Sequence, residues 1–76
     1  MWKSFDKRLA TFLLEEADIE GKDEIHITHE IIGNHLGSPR EVVTRMLKYF
    51  QNEGLVKLTR GAVELIDIKG LRNLQA

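Results

Sequence analysis

The chain has 76 residues, of which 42% are hydrophobic and 30% are charged, and its formal net charge is −1. This length is typical of one globular domain, and the absence of cysteine excludes disulfides, cysteine-based zinc fingers and iron–sulfur clusters within the sequence. No apolar run approaches the roughly 20 residues of a membrane helix, and the opening M-W-K-S-F-D-K-R lacks the apolar stretch of a secretory signal. We therefore expect a cytoplasmic protein that does not engage membranes.

The charges are distributed unevenly along the chain. Residues 1–36 hold four Lys or Arg against eight Asp or Glu, whereas residues 37–76 hold seven against four. The first segment therefore carries a formal charge of −4 and the second carries +3. Such a distribution can present a positive face to nucleic acid even when the net charge is close to zero.

The first third of the sequence predicts a long helix followed by a short strand. From Ser4 to Asp18, apolar residues recur at spacings of three and four, which is typical of an amphipathic helix, and Ser4 is suited to be its N-cap. Residues 20–23 form a polar break. Residues 24–27 then alternate between polar and apolar side chains, as in a half-buried β-strand.

Two further helices are predicted with only two residues between them. Thr28 is suited to cap the first of these, and Gly37 can end it in a left-handed conformation. Its apolar residues are predicted to face the core: Ile31, Ile32 and Leu36. The next helix is predicted to begin at Pro39, with Ser38 as N-cap and Glu41 completing an S-x-x-E capping box. This close succession predicts a helix-turn-helix unit.

The second helix of this unit, predicted to extend to about Glu53, has two chemically distinct faces. At about 100° per residue, the charged and hydroxyl side chains share one arc: Arg40, Glu41, Thr44, Arg45 and Lys48. The apolar side chains fill the opposite arc: Val42, Val43, Met46, Leu47 and Phe50. Arg pairs bidentately with guanine in the major groove, and a carboxylate can accept a hydrogen bond from cytosine N4. We interpret the polar face as a base-reading surface formed by Arg40, Glu41, Thr44 and Arg45.

Beyond Gly54 the sequence predicts a β-hairpin and a last short helix. Residues 55–58 and 63–66 are strand-like, and residues 59–62 form the turn between them. Asp67 could cap the final helix, although Gly70 disfavours it. A hairpin after a recognition helix is the arrangement of a winged helix-turn-helix. The predicted fold class is therefore mainly α with a small antiparallel β-sheet.

A second set of residues is suited to contact DNA phosphates, which position a protein without reading the sequence. Lys57 and Arg60 flank the predicted hairpin turn, and Lys48 lies further along the recognition helix. Ser38 stands at the start of the second helix of the helix-turn-helix unit. An ordinary solvated hairpin tip is the alternative for Lys57 and Arg60.

Nearly the whole sequence resembles the Crp/Fnr family of transcription regulators. The most specific stretch is L-G-S-P-R-E-V-V-T-R-M-L, because the recognition helix of this family typically carries R-E-x-x-x-R followed by an apolar pair. By position, the resemblance implies guanine contacts for Arg40 and Arg45 and a cytosine contact for Glu41, in half-sites containing GTGA. It also implies a phosphate contact for Thr28. His29 departs from the family pattern, since a basic residue is common at this position.

The resemblance also carries expectations about the whole regulator. Family members have an N-terminal effector-binding β-barrel and a long dimerisation helix, and neither is matched in these 76 residues. We therefore expect residues 1–76 to be a single winged-helix domain, the C-terminal part of a longer bacterial regulator whose effector binds the N-terminal domain. No cofactor is expected in this domain. The implied partners are a second copy in a homodimer, a pseudo-palindromic double-stranded DNA operator and, as a further candidate, RNA polymerase.

Three other functions were weighed against DNA binding. His26 and His29 have H-x-x-H spacing, but no third ligand stands at a fixed distance, so a metal site is disfavoured. An enzyme is disfavoured because the sequence has no cysteine nucleophile, no G-x-S-x-G and no phosphate-cradling loop. The alternative that stays open is a winged helix used as a protein–protein interaction module, because the first helix is acidic and the net charge is close to neutral.

Overall fold

The computed structural model describes residues 2–75. Within them, four helices and three strands follow in this order: α1 (Trp2–Glu20), β1 (Glu24–Ile25), α2 (His29–Leu36), α3 (Arg40–Asn52), β2 (Val56–Thr59), β3 (Ala62–Leu65) and α4 (Ile68–Gln75). The strands form one antiparallel sheet in the order β1-β3-β2. The predicted fold class is confirmed, and β2 and β3 form the wing that follows the helix-turn-helix.

The strands are shorter or shifted relative to the prediction. β1 has two residues instead of four, and it pairs with β3 through Glu24 opposite Glu64 and Ile25 opposite Val63. Each wing strand is displaced by one residue toward the hairpin tip, so that Thr59 pairs with Ala62. The turn therefore narrows to residues 60–61, where Gly61 adopts φ 73°, a conformation that suits glycine.

Two predictions about helix residues were wrong. Ser4 is not the N-cap of α1, because the helix already includes Trp2 and no Pro or Gly precedes Ser4 to stop it. Ile31 is 45% exposed, whereas its neighbour Ile32 is fully buried. Consecutive residues on a helix point about 100° apart, so α2 places Ile32 and Leu36 against the core and turns Ile31 toward solvent.

The core lies where α1 and α3 meet the sheet and α4. Its fully buried larger side chains come from every one of these elements and from α2: Leu9, Leu13, Ile25, Ile32, Val43, Leu47, Phe50, Val63 and Leu71. Arg8 of α1 donates a hydrogen bond from Nη2 to the Leu36 carbonyl at 2.6 Å, which satisfies a carbonyl at the C-terminal end of α2. The predicted cap of α4 is confirmed, because Asp67 Oδ1 accepts from the Gly70 N–H at 2.9 Å.

The turn between α2 and α3 depends on two glycines. Gly37 takes φ 67° and donates its N–H to the Gly33 carbonyl, to which Ser38 also donates at 2.9 Å. A Cβ added at Gly33 would lie 2.5 Å from the Ser38 carbonyl oxygen, which is backbone and cannot swing away. The absence of a side chain at Gly33 therefore lets the chain fold back onto α2 and sets where α3 begins.

We expect Gly33→Ala to destabilise the protein even though alanine favours helices. The clash with the Ser38 carbonyl should cost more than the propensity gain of up to about 1 kcal/mol, leaving a net loss of about 1–2 kcal/mol in the free energy of unfolding. Urea unfolding followed by circular dichroism measures it. Asn34→Ala, at the adjacent exposed position, is the control and should stay within about 0.5 kcal/mol of wild type. Equal stability of the two variants would contradict this account of the turn.

Candidate nucleic-acid interface

The start of α3 differs from the prediction. Pro39, not Ser38, is the N-cap, because its backbone is extended (φ −61°, ψ 149°) and its carbonyl accepts the Val42 N–H at 3.1 Å. The predicted capping box between Ser38 and Glu41 is therefore wrong. Pro39 has no side-chain oxygen, and α3 accordingly begins without a side-chain cap. The N–H of Ser38 is instead used by the Gly33 carbonyl in the turn.

The two faces of α3 are confirmed. Its apolar arc is buried in the core: Val43, Met46, Leu47 and Phe50. Its charged side chains are exposed: Arg40, Glu41, Arg45 and Lys48. Thr44 is half-buried among them. Burial of the apolar face fixes the rotation of the helix, so the charged face must point outward as a set.

An open groove of about 530 Å³ lies in front of the N-terminal half of α3. Three segments line it, namely the chain entering α2, the first turns of α3 and the tip of the wing: Ile27, Thr28, His29, Glu30, Arg40, Glu41, Thr44, Gly61 and Ala62. The fold thus brings together four of the predicted site residues from two helices. It also places the hairpin tip beside them.

Arg45 lies apart from this groove. It lines a separate, largely apolar depression with Asp6, Met46 and Tyr49, next to the first turns of α1. Arg45 follows Arg40 by five residues in α3. Its side chain therefore points about 140° away from that of Arg40 around the helix axis. Helical phase already predicts the two Arg residues at opposite edges of one arc, and the structure places them in separate depressions.

The remaining phosphate candidates do not line this groove. Lys57 and Arg60 are exposed on the wing, and Lys48 is exposed on α3. Ser38 is half-buried and lines a shallower groove with Asn34, beside the start of α3. The exposure of these side chains is compatible with phosphate contacts.

Thr28 is held by its capping role. Its Oγ1 accepts the Ile31 N–H at 3.2 Å, and its carbonyl accepts the Ile32 N–H at 3.1 Å, so the predicted N-cap of α2 is confirmed. The hydroxyl proton takes no part in the cap, because capping uses only a lone pair. Thr28 can therefore donate to an acceptor in the groove while it caps α2.

A hydrogen bond that the sequence does not predict joins α2 to α3. His29 Nδ1 lies 2.8 Å from Thr44 Oγ1, although the two residues are 15 positions apart. Burial lowers the pKa of His29 below its usual 6.5, and the positive charges of Arg40 and Lys48 lower it further. The ring is therefore neutral at pH 7. Periodicity orders residues within one helix, so it could not reveal this contact between helices.

The wing is tied to α3 by a side chain that the sequence also did not single out. Gln51 Oε1 accepts the Leu58 N–H of β2 at 2.7 Å. Since β2 is an outer strand of the sheet, this bond satisfies a donor that the sheet leaves unpaired. This hydrogen bond links the wing to α3.

Residues 7–74 match the family described as the Crp-like helix-turn-helix domain. The chain belongs to this family. The resemblance seen in the sequence is thus confirmed, and the family is one of transcription-regulator domains and not an enzyme class.

Similar proteins are transcription regulators of bacteria. The transcriptional regulator SdrP of Thermus thermophilus is 34% identical over 73 residues, and the transcriptional regulatory protein btr of Bordetella pertussis is 34% identical over 76. These matches cover 88% and 91% of this chain but 36% and 31% of those proteins. The Crp-like domain therefore spans about a third of the length of the curated relatives it matches.

Solved structures agree with the fold. A regulator from Eubacterium rectale assigned to the Crp/Fnr family is 67% identical and superposes with a TM-score of 0.94, over 99% of this chain and 35% of that one. The catabolite activator protein of Thermus thermophilus is 28% identical with a TM-score of 0.85, over 96% of this chain and 34% of that one. Both likenesses support a winged helix-turn-helix.

The histidines that prompted a metal hypothesis do not converge in the Crp-like domain. His26 Nε2 lies 3.7 Å from Glu24 Oε1, whereas His29 Nδ1 faces Thr44. Across residues 2–75, no group of three His, Asp or Glu side chains is arranged to hold a metal ion. In the same span, no helix has the length and apolarity needed to cross a bilayer.

The lowered pKa of His29 predicts how the stability of the Crp-like domain depends on pH. Below 6.5 the unfolded chain binds a proton at this residue more readily than the folded chain does, so stability falls as the pH drops through 6.5 and levels off below the folded pKa. Urea unfolding between about pH 7.5 and 5 should show this loss. His29→Asn, which does not titrate, should lose less stability over the same range. If the wild type and His29→Asn lose the same stability over this pH range, the lowered pKa of His29 is contradicted.

Proposed function

We propose that this Crp-like domain binds double-stranded DNA sequence-specifically, with α3 in the major groove. The observation that carries the proposal is the charged face of α3, which is exposed while the opposite face is locked into the core. In the described part of the chain, neither Arg40 nor Arg45 is ion-paired with a carboxylate. Their guanidinium donors are therefore free to bind an outside partner.

The dimensions and chemistry of α3 suit base reading. A helix of 13 residues is about 20 Å long, and its width fits the major groove. In the proposed complex, Arg40 and Arg45 donate to guanine, and Glu41 accepts from cytosine N4. Thr44 contacts a base between them. The wide separation of the two Arg residues on α3 suits contacts to different base pairs.

Phosphate contacts are proposed for five residues, and these contacts would hold α3 in register: Thr28, Ser38, Lys48, Lys57 and Arg60. The distribution of charge supports this orientation. Glu15, Asp18 and Asp23 line a different groove, between α1 and α4, which shares no residue with the groove in front of α3. These three carboxylates therefore lie outside the groove in which DNA is proposed to bind.

At the level of the whole regulator, we propose that this domain is the output module of a bacterial, cytoplasmic Crp/Fnr-type transcription regulator. Two copies in a homodimer would bind a pseudo-palindromic operator whose half-sites are about one helical turn apart. The effector would bind outside residues 1–76, no cofactor would bind within them, and RNA polymerase is a candidate further partner. The mechanism is docking without bond making or breaking. Nothing in the contacts of α3 favours the alternative of a protein–protein interaction module.

An amide NMR titration tests the proposal directly. The isolated chain should bind weakly, because it lacks the effective concentration that a second half-site supplies. With a short duplex carrying GTGA, shifts should cluster at Thr28, residues 38–48 and the wing, and should persist at moderate salt. A scrambled duplex should bind only at low salt, since its binding is through phosphates. If neither duplex causes shifts, the protein-interaction alternative becomes the better one.

Two arginine substitutions separate base reading from backbone contact. Arg40→Ala should cost about 1–3 kcal/mol of binding free energy on the GTGA duplex and relax preference at one base pair. Arg60→Ala should weaken binding to all sequences alike and make the salt dependence shallower. Fluorescence anisotropy at several salt concentrations measures both effects.

The matched control for these substitutions is Lys22→Ala. It removes the same charge from a residue that lines the groove between α1 and α4. Its effect should be small and independent of sequence. An unchanged affinity of Arg40→Ala for the GTGA duplex would overturn the base-reading role of Arg40.

A further inference from the structure

The hydrogen bond between His29 and Thr44 lies inside the groove where DNA is proposed to bind. His29 is the first residue of α2, and Thr44 is in the second turn of α3. Both side chains are half-buried and line the groove, and Nδ1 and Oγ1 are 2.8 Å apart. A bond at this distance holds the Thr44 hydroxyl in a defined direction.

The direction of this bond decides what Thr44 can offer to DNA. A threonine hydroxyl has one proton and two lone pairs. If Thr44 donates its proton to His29 Nδ1, only lone pairs remain for DNA, and Thr44 can accept but not donate. If Nδ1 instead carries a proton and donates it, the Thr44 proton is free to be given to a base.

A bound DNA backbone would favour the first arrangement. In the free chain, burial and the charges of Arg40 and Lys48 lower the pKa of His29, which favours a neutral ring with a single proton. Phosphate oxygens only accept hydrogen bonds, and His29 adjoins Thr28, a proposed phosphate contact. In the proposed complex, a phosphate beside His29 would draw that proton to Nε2. Nδ1 would then accept the proton of Thr44.

We propose that His29 is a positioning residue that makes Thr44 an acceptor, and thereby directs it to a base with an amine in the major groove. Adenine N6 and cytosine N4 are such donors, whereas thymine O4 and guanine O6 and N7 are acceptors. This inference rests on the proposed DNA binding. It adds a specificity role for a residue that contacts no base itself.

Two simpler roles for His29 make different predictions. As a phosphate contact only, its loss would weaken binding to every sequence equally. As a purely structural link between α2 and α3, its loss would lower stability without changing base preference. Only a positioning role changes the preference at one base pair and depends on the hydroxyl of Thr44.

The first step of the test locates the base pair that Thr44 reads. A set of short duplexes carries all four base pairs at each position of the half-site, and anisotropy competition at low salt ranks them. Thr44→Val keeps the shape of the side chain and removes the hydroxyl. It should flatten the preference at one position, by roughly fivefold in relative affinity. Every base pair presents one such amine in the major groove, so the wild-type preference at that position should be lost when the amine is removed, by purine in place of adenine or pyrimidin-2-one in place of cytosine.

The second step distinguishes the roles of the two ring nitrogens of His29. His29→Gln can place an amide near the position of Nε2 but leaves nothing at Nδ1, whereas His29→Asn places an amide near Nδ1 only. His29→Gln should lose the preference at the Thr44 position while it keeps affinity for the duplex set as a whole. His29→Asn should keep the preference, because its amide oxygen can accept the Thr44 proton, and should lose affinity uniformly.

A double-mutant cycle closes the test. In the Thr44→Val background, His29→Gln should produce no further change in base preference. The inference is overturned if His29→Gln keeps the wild-type preference, if removal of the base amine leaves the preference at the Thr44 position unchanged, or if the two substitutions act independently. Urea unfolding of each variant shows whether it is folded.

The experiments give a different result if the proposed DNA binding itself is wrong. If the wild-type chain does not distinguish the GTGA duplex from a scrambled one, the proposed base reading is wrong, and the role of His29 falls with it. If the wild-type chain discriminates and Arg40→Ala relaxes the preference at one base pair while His29→Gln has no effect on preference, DNA reading stands and only the role of His29 is rejected.

Discussion

The close approach between the backbone of α2 at Gly33 and the start of α3 is the constraint on which the rest of the structure depends. One carbonyl at Gly33 accepts the N–H groups of both Gly37 and Ser38, so the chain reverses within two residues. This tight reversal brings the first turn of α3 beside the first turn of α2. The groove, the contact between His29 and Thr44 and the direction of the charged face all follow from that placement, together with burial of the apolar face of α3.

Most of the fold could be predicted because it follows from patterns local in sequence. Apolar spacing identified all four helices, and Thr28, Gly37 and Asp67 marked helix ends correctly. The errors arose where two local signals competed. Ser38 and Pro39 both fit the start of α3, and only the extended backbone of Pro39 decides between them. The one-residue shift of the wing strands likewise depends on pairing between strands, which no single strand encodes.

The candidate site could be predicted only to the level of one helix face. Helical phase grouped the charged residues of α3 and set them opposite the buried ones. It could not show that Arg45 stands beside Asp6 of α1, or that His29 bonds to Thr44, because these neighbours belong to other elements. Contacts of this kind depend on how the helices pack, and packing is set by the whole core. Gln51 was missed for the same reason, since its partner is a backbone N–H in the wing.

The hydrogen bond from the wing to Gln51 links the position of the hairpin to that of the end of α3. In the proposed complex, the spacing between α3 and the wing would favour DNA whose backbone lies at a matching distance. Sequences whose grooves are too wide or too narrow would have to deform, and the energy of deformation depends on base steps that no side chain touches. In the proposed complex, Gln51 would thus make the affinity depend on the groove dimensions of the DNA as well as on its bases.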